Sequence, residues 1–335
     1  MKDKISIIVT SIAAPNKALT NLAQGSSERD YQFIVIGDED SPEVFHLDGC
    51  DFYCLKRQSQ TGLKFAQVCP RRHYARKNIG YLLAMGNGAS IIIETDDDNI
   101  PCSQFWAGRQ KNQKVPVIEN AGWVNVYRYF TDAKIWPRGF PLEHLPDEVP
   151  SFESLSFKNA DCPIQQGLAD ENPDVDAVYR LVLPLPQTFK NNRLALGSGT
   201  LCPFNSQNTT WFSDAFELLY LPVTCSFRVT DIWRSFIAKR IASINGWAVL
   251  YHEATVRQER NEHNLLADFE EEIPGFLHNS EICQALDDLQ LEAGKDKIPD
   301  NLRTCYKKLV SMSLIGEEEL RLLNAWLEDI RQFRR

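Results

Sequence analysis

The chain has 335 residues, 43% of them apolar and 24% charged, with a formal net charge of −9. That composition fits a globular protein with one full core and room for an appendage. The acidic balance excludes a general nucleic-acid surface, and no run reaches the ~18 apolar residues of a membrane span. The opening "MKDKISIIVTSIAAPN" lacks the apolar segment of a secretory leader. Nine cysteines are scattered, and Cys50 and Cys54 find no second pair to complete a zinc set. Reduced thiols in a cytoplasmic protein are the expectation.

Ile5–Val9 and Phe33–Ile36 are continuous apolar runs rich in β-branched residues, as buried parallel strands are. Between them "ALTNLAQG" reads as a short helix stopped by Gly25. In "RRHYARKNIGYLLAMGNGA", Ile79, Leu82 and Leu83 predict a helix that stops at Gly86–Gly88. The next strand, "SIIIE", runs into Asp96, Asp97 and Asp98. Strand–helix–strand–helix–strand predicts a mostly parallel sheet, with ligands beyond the carboxyl ends of its strands. Further on, "WPRGFPLEHLPDEVP" reads as a long surface loop and "DVDAVYRLVLPLP" as a strand region. "LALGSGTLCPFNSQNTTWF" is loop-like. "DIWRSFIAKRIASING" is an amphipathic helix with Ile232, Phe236, Ile237 and Ile241 on one face, and "WAVLYH" is a last strand. Beyond about residue 280 the composition shifts to three helices, the last carrying the stripe Leu320, Leu323, Leu327, Ile330. The chain therefore divides into an α/β domain, 1–279, and a helical appendage, 280–335, whose helices offer an oligomer contact.

Three carboxylates packed after a buried strand repel one another. One Asp suffices to cap a helix. A divalent cation explains the cluster better, because Mg²⁺ or Mn²⁺ takes one or two carboxylates and completes its shell with water and phosphate.

A strand ending in "DDDNIP" resembles the Asp-x-Asp motif of nucleotide-sugar glycosyltransferases with the GT-A fold. With "RRHYARKNIGYLLAMGNGASIIIETDDDN", "DVDAVYRL", "PFNSQNTTWF" and "LPVTCSFRVTDIWRSFIAKRI", the chain resembles the STELLO family of glycosyltransferases over roughly residues 4–264. The helical tail has no counterpart in that resemblance, and the membrane anchor of the plant members is not seen. The resemblance implies a GT-A-like (Rossmann-like) α/β fold. It implies transfer of a sugar from a nucleoside-diphosphate sugar, UDP-sugar first, to a hydroxyl of a glycan or glycolipid, in glycan or surface-polysaccharide synthesis. Thr10 and Asp38, after the first two strands, would hold base and ribose. Arg76, Lys77 and Asn78 would serve the diphosphate or the acidic cluster, with Asp96 and Asp97 beside it. Asp96 and Asp98 would bind Mn²⁺ or Mg²⁺, with His263 preferred over His252 as a third ligand. Asp231, opening a helix, would deprotonate the acceptor if the reaction inverts. Trp233 and Arg234 would shape the acceptor pocket. Asn205, Gln207 and Asn208 are amides suited to sugar hydroxyls, and Trp123 and Trp211 are aromatic platforms or core.

Two other readings stay open: a nucleotide-sugar mutase, and a scaffold of the same fold that binds other glycan-synthesis enzymes or touches a membrane peripherally. A nucleotidyltransferase would want a glycine-rich, lysine-bearing first loop, and "TSIAAPNKALT" has no glycine.

Overall fold

The computed structural model describes residues 3–259 and 264–333. In chain order the elements are β1 (Ile5–Thr10), α1 (Lys17–Ser27), β2 (Gln32–Ile36), β3 (Asp51–Tyr53), α2 (Leu55–Ser59), α3 (Lys64–Val68), α4 (Lys77–Gly86) and β4 (Ile91–Thr95). Then come β5 (Asn99–Pro101), β6 (Asn112–Ile118), β7 (Gly122–Trp123), β8 (Ser156–Asp161), β9 (Ile164–Asp170), α5 (Ala177–Val182), β10 (Arg193–Leu196), β11 (Thr200–Leu201) and β12 (Asn208–Phe212). The chain closes with α6 (Thr230–Ile244), β13 (Val249–Gln258), α7 (Leu265–Asp287), α8 (Ile298–Ser311) and α9 (Glu319–Phe333).

The main sheet runs β3-β2-β1-β4-β12-β9-β13-β10-β6-β8, with β5 pairing to β13. Its first four strands are parallel, with Ile7 opposite Phe33 on one side and Ile93 on the other. Both faces of that half are covered, which is why its strands read as unbroken apolar runs. Ile5, Ile7 and Val9 pack with Leu19 and Leu22 of α1, while Ile8 packs toward Ile79 and Leu82 of α4. The 3-2-1-4 order is that of a Rossmann-like half. Beyond β4 the sheet is mixed: β12 runs antiparallel to both β4 and β9, and β13 is parallel to β9 but antiparallel to β10.

Gly25 does not stop α1, which continues to Ser27. A Cβ there would lie 2.1 Å from the Trp106 ring, so the glycine serves close packing. "DVDAV" opens the short helix α5, capped by Asp176, rather than a strand. "NTTWF", expected in a loop, is β12. The "WPRGFP" stretch is not a surface loop, because Trp136, Arg138 and Phe140 are all buried.

The division at 279/280 falls inside α7, and the tail is bound tightly to the rest. Leu323, Leu327 and Ile330 of the expected stripe are buried in the same core as Phe65, Tyr81 and Tyr220, and Leu320 packs against it. This stripe is therefore spent within the molecule and cannot serve an oligomer contact. Two carboxylates fasten the tail. Glu319 accepts from the Val223 and Thr224 amides at 3.0 and 2.7 Å. Asp329 accepts from the Lys64 and Phe65 amides at 2.9 and 2.8 Å, at the start of α3. Asp329→Ala should cost about 1–3 kcal/mol, because two amides at a helix start lose their acceptor. A chemical-denaturation midpoint equal to wild type would show that the contact contributes nothing.

Candidate functional site

An open cleft of ≈ 450 Å³ lies beyond the carboxyl ends of β1, β2 and β4. Thr10, Ser11 and Asp38 form one wall, and Asp96, Asp97 and Asp98 form its floor. Arg138, Asp174, Ser206, Phe227 and Asp231 form the opposite wall. The parallel half supplies the first two groups, because its strands all end on the same edge.

The three carboxylates of the floor point to three different partners. Asp96 Oδ1 accepts from Lys77 Nζ at 3.0 Å and from the Tyr74 hydroxyl at 3.1 Å. Asp97 accepts from the Ser11 hydroxyl, and its main-chain oxygen from Asn16 at 2.8 Å. Asp98 Oδ2 accepts from Gln258 Nε2 at 3.0 Å. Burial pushes the Asp97 carboxyl up, the Ser11 bond restrains it, and the neighbouring Asp96 charge adds to the rise. Lys77 is fully buried beneath the floor and also donates to the Thr95 carbonyl at 2.8 Å. One ammonium thus offsets part of three negative charges. Among the described residues, no group of three or more His, Cys, Asp or Glu side chains converges on one point. Gln258 lines the cleft beside Asp98, and its buried Oε1 has no hydrogen-bond partner among the described residues. An amide oxygen next to carboxylates is hard-cation chemistry.

The opposite wall is an ionic relay. Asp231 lies in the first turn of α6 and is 5% exposed. It does not cap the helix. Its Oδ2 accepts from the Ser206 amide and hydroxyl, each at 3.0 Å, and from Arg138 at 3.0 Å. Its Oδ1 accepts a second Arg138 bond at 3.0 Å. Arg138 also grips Asp174 at 2.8 and 2.9 Å. Burial alone would raise the Asp231 pKa, but the charge and hydrogen bonds of Arg138 hold it well below the usual carboxylate range. Tyr74 ties this wall to the floor, since its hydroxyl meets the Ser206 hydroxyl at 2.6 Å as well as Asp96.

Gly139 allows Arg138 to reach this place. Its φ is +81°, and a Cβ would meet Ile232 of α6 at 2.4 Å, so only glycine lets the segment dock there.

The structure brings Thr10, Asp38, Asp96, Asp97, Asp98, Gln207 and Asp231 to the cleft, with Lys77 directly beneath. Asp38 is engaged there by the His73 amide at 2.9 Å. Other expected residues serve the scaffold. Arg76 edges the cleft, but its guanidinium is committed to Gln58 and to the carbonyls of Cys69 and Pro70. Asn78 is fully buried and clamps the backbone of Leu221 through both its oxygen and its nitrogen. Asn205 caps the Gln207 amide, and Asn208 bonds the Leu168 carbonyl and Thr255. Trp233 donates to Asn279 in the core, and Arg234 forms a fork with Glu94, so neither reaches an acceptor pocket. Trp211 is likewise core, donating to Glu94 at 2.8 Å. His263 lies outside the described residues. His252 sits in β13, and burial lowers its pKa to about 4.

The sequence reading missed Tyr74, Arg138, Asp174, Ser206 and Gln258. Only Arg138 left a signal, as a charged residue inside a Trp- and Phe-bearing stretch where a solvated loop would not place those aromatics.

A family model described as STELLO glycosyltransferases matches residues 228–334. "Probable glycosyltransferase STELLO1" of Arabidopsis thaliana is 27% identical over 349 aligned residues, covering 97% of this chain and 44% of that protein. STELLO2 of the same plant is 26% identical with the same coverage. The chain is thus STELLO-like and spans 44% of the length of these curated relatives. The likeness includes the helical tail, which the sequence reading had left without a counterpart. Among solved structures, a mycobacterial protein superposes with a TM-score of 0.43 at 11% identity, covering 83% of this chain and 74% of that one. The M. tuberculosis glucosyl-3-phosphoglycerate synthase gives 0.42 at 12%, covering 83% and 80%. No helix among the described residues is long and apolar enough to cross a membrane.

Proposed function

We propose that this STELLO-like chain transfers a sugar from a nucleoside-diphosphate sugar, UDP-sugar first, to a hydroxyl acceptor, with Mn²⁺ or Mg²⁺ as its cofactor. One observation carries the reading: a single cleft joins Asp38 at one wall, Asp96–Asp98 at the floor and Asp231 at the other wall. That is the order in which a nucleoside, a diphosphate and an acceptor hydroxyl would lie.

Charge balance supports the cation. Seven aspartates line the cleft with four arginines. Arg76 is held by Gln58, Arg138 by two of those aspartates, and Arg228 by Glu272 at 2.7 Å. A diphosphate entering such a cleft meets net negative charge. Asp96, Asp98 and the unpaired Gln258 Oε1 are the oxygen ligands that would hold a hard cation there. When bound, it would neutralise the diphosphate and stabilise it as the leaving group.

The chain's own groups supply the rest. Thr10 and Asp38 would take hydroxyl or N–H donors of the nucleoside. Lys77 holds the Asp96 carboxylate in place. Asp231 would accept the acceptor proton through Oδ1, the oxygen with fewer donors. Its depressed basicity suits a late proton transfer, after the acceptor oxygen has begun to bond to the anomeric carbon and become acidic.

Titration calorimetry tests this. UDP should bind at least ~10-fold more tightly with Mn²⁺ than in EDTA, a difference of about 1.4 kcal/mol. Asp98→Ala should remove most of that difference. Equal affinity with and without metal would overturn the cation assignment.

A further inference from the structure

Phe227 lines the cleft and is 53% exposed, in a wall otherwise built of charged, hydroxyl and amide groups. This exposure is not slack. The residue before it, Ser226, donates to the Glu271 carbonyl at 2.6 Å. The residue after it, Arg228, is buried and paired with Glu272, while its carbonyl accepts from Arg138. The ring itself packs edge-on against Tyr74, centroids 5.4 Å apart and planes at 71°. Tyr74 in turn is bonded to Asp96 and Ser206. A rigid aromatic face is therefore held in water, fixed to both functional clusters, at a cost that folding alone does not explain.

We propose that Phe227 is the platform on which a pyranose acceptor stacks, so that the acceptor is a neutral sugar; this rests on the transferase reading of the same cleft. A pyranose presents a C–H face and a rim of hydroxyls, and this wall offers both complements. The Phe227 ring takes the face. Asp231 and Gln207, which line the same cleft, take the hydroxyls. Other acceptor classes fit less well. A phosphorylated or carboxylated alcohol would face seven aspartates. An acyl chain needs a continuous apolar groove, whereas the exposed apolar side chains of this cleft are Phe227 and Ile12, on opposite walls.

Saturation-transfer NMR on the full chain, with UDP and Mn²⁺ present, tests the proposal. The probes are methyl hexopyranosides, glycerol and glycerol 3-phosphate. At least one glycoside should receive saturation on its ring protons, and the two open-chain probes should not. Phe227→Ala should weaken that glycoside ~10-fold, and Phe227→Tyr should retain it. UDP affinity should not change in either variant. The proposal is overturned if no glycoside binds, if Phe227→Ala binds it like wild type, or if UDP affinity falls instead, which would put the ring on the donor side. If UDP itself fails to bind, the donor reading is refuted, and the glycoside arm without nucleotide still decides the role of Phe227.

Discussion

Asp231→Asn should slow transfer to the true acceptor by ~10²–10⁴-fold while leaving the affinity for UDP and Mn²⁺ unchanged, because the substitution removes the proton acceptor and keeps the shape. In the proposed arrangement the nucleotide lies at the other wall, so donor binding is the internal control. Arg138 complicates the test, since it bridges Asp231 and Asp174. Asp174→Asn separates the two effects: it takes a charge from the same arginine without touching the proposed base. Equal losses in both variants would mean that the arginine's balance, not proton transfer, was being read. A wild-type rate in Asp231→Asn would remove Asp231 from the chemistry altogether. The pH profile gives a second check. Burial alone would raise the Asp231 pKa, but Arg138 holds it well below an ordinary carboxylate. A depressed acid contributes stability above its unfolded pKa of about 4, and that stability is lost as pH falls through the lower folded value. The same group therefore stays ionised down to about pH 4. No acidic limb of kcat between about pH 5 and 8 should belong to it, and one that disappears in Asp231→Asn would show that Asp231 titrates there and is not held low by Arg138.

Arg234→Met should destabilise the fold by about 3–5 kcal/mol, a large part of the ~5–15 kcal/mol that such domains possess. Arg234 and Glu94 are each at most 1% exposed, and two parallel bonds of 2.9 and 2.8 Å join them. Trp211 and Tyr81 also donate to Glu94. Removing the arginine leaves a carboxylate in the middle of the sheet with no counter-charge. The double variant Glu94→Gln/Arg234→Met should recover part of the loss, since no uncompensated charge remains and the amide oxygen still serves Trp211 or Tyr81. Urea-denaturation midpoints decide it. Equal losses in the single and double variants would show that packing, rather than charge, is at stake. The pair also matters for the site: Glu94 precedes Asp96 by two residues, and Arg234 follows Asp231 by one helical turn. It joins the strand that carries the floor of the cleft to the helix that carries its far wall.

The parallel half was legible because β1, β2 and β4 are buried on both faces and therefore read as unbroken apolar runs. Helix α9 was legible from its spacing, and α6 was legible as a helix, although it is buried on nearly every side rather than amphipathic. The mixed half was not. β9, "IQQGLAD", carries two buried glutamines, and Gln165 and Gln166 satisfy themselves sideways on carbonyls, as at Gln110 and Gly167. No alternation marks such a strand. The site followed the same rule. Asp96–Asp98 announced themselves by mutual repulsion, but Asn78, Asn208 and Arg234 look no different in sequence from ligand-binding residues. Whether such an amide or guanidinium faces a partner in the core or a cleft depends on residues 40 or more positions away. Asp174 became visible only when the fold placed it beside Arg138 and Asp231.

The clasp between Asp329 and the start of α3 also sets an order of events during synthesis. Lys64 and Phe65 leave the ribosome 264 residues or more before the carboxylate that receives their amides. Phe65 and Tyr81 likewise wait for Trp326, whose ring lies 6.4 and 6.5 Å from theirs. The parallel half is made well before α9, yet α9 is what closes its outer surface. Contacts of such sequence separation form slowly, and the waiting half exposes aromatic surface meanwhile. The nascent chain should therefore lean on holding chaperones until its final helix is free. Termination anywhere before that helix would leave the first hundred residues, remote as they are, without their cover.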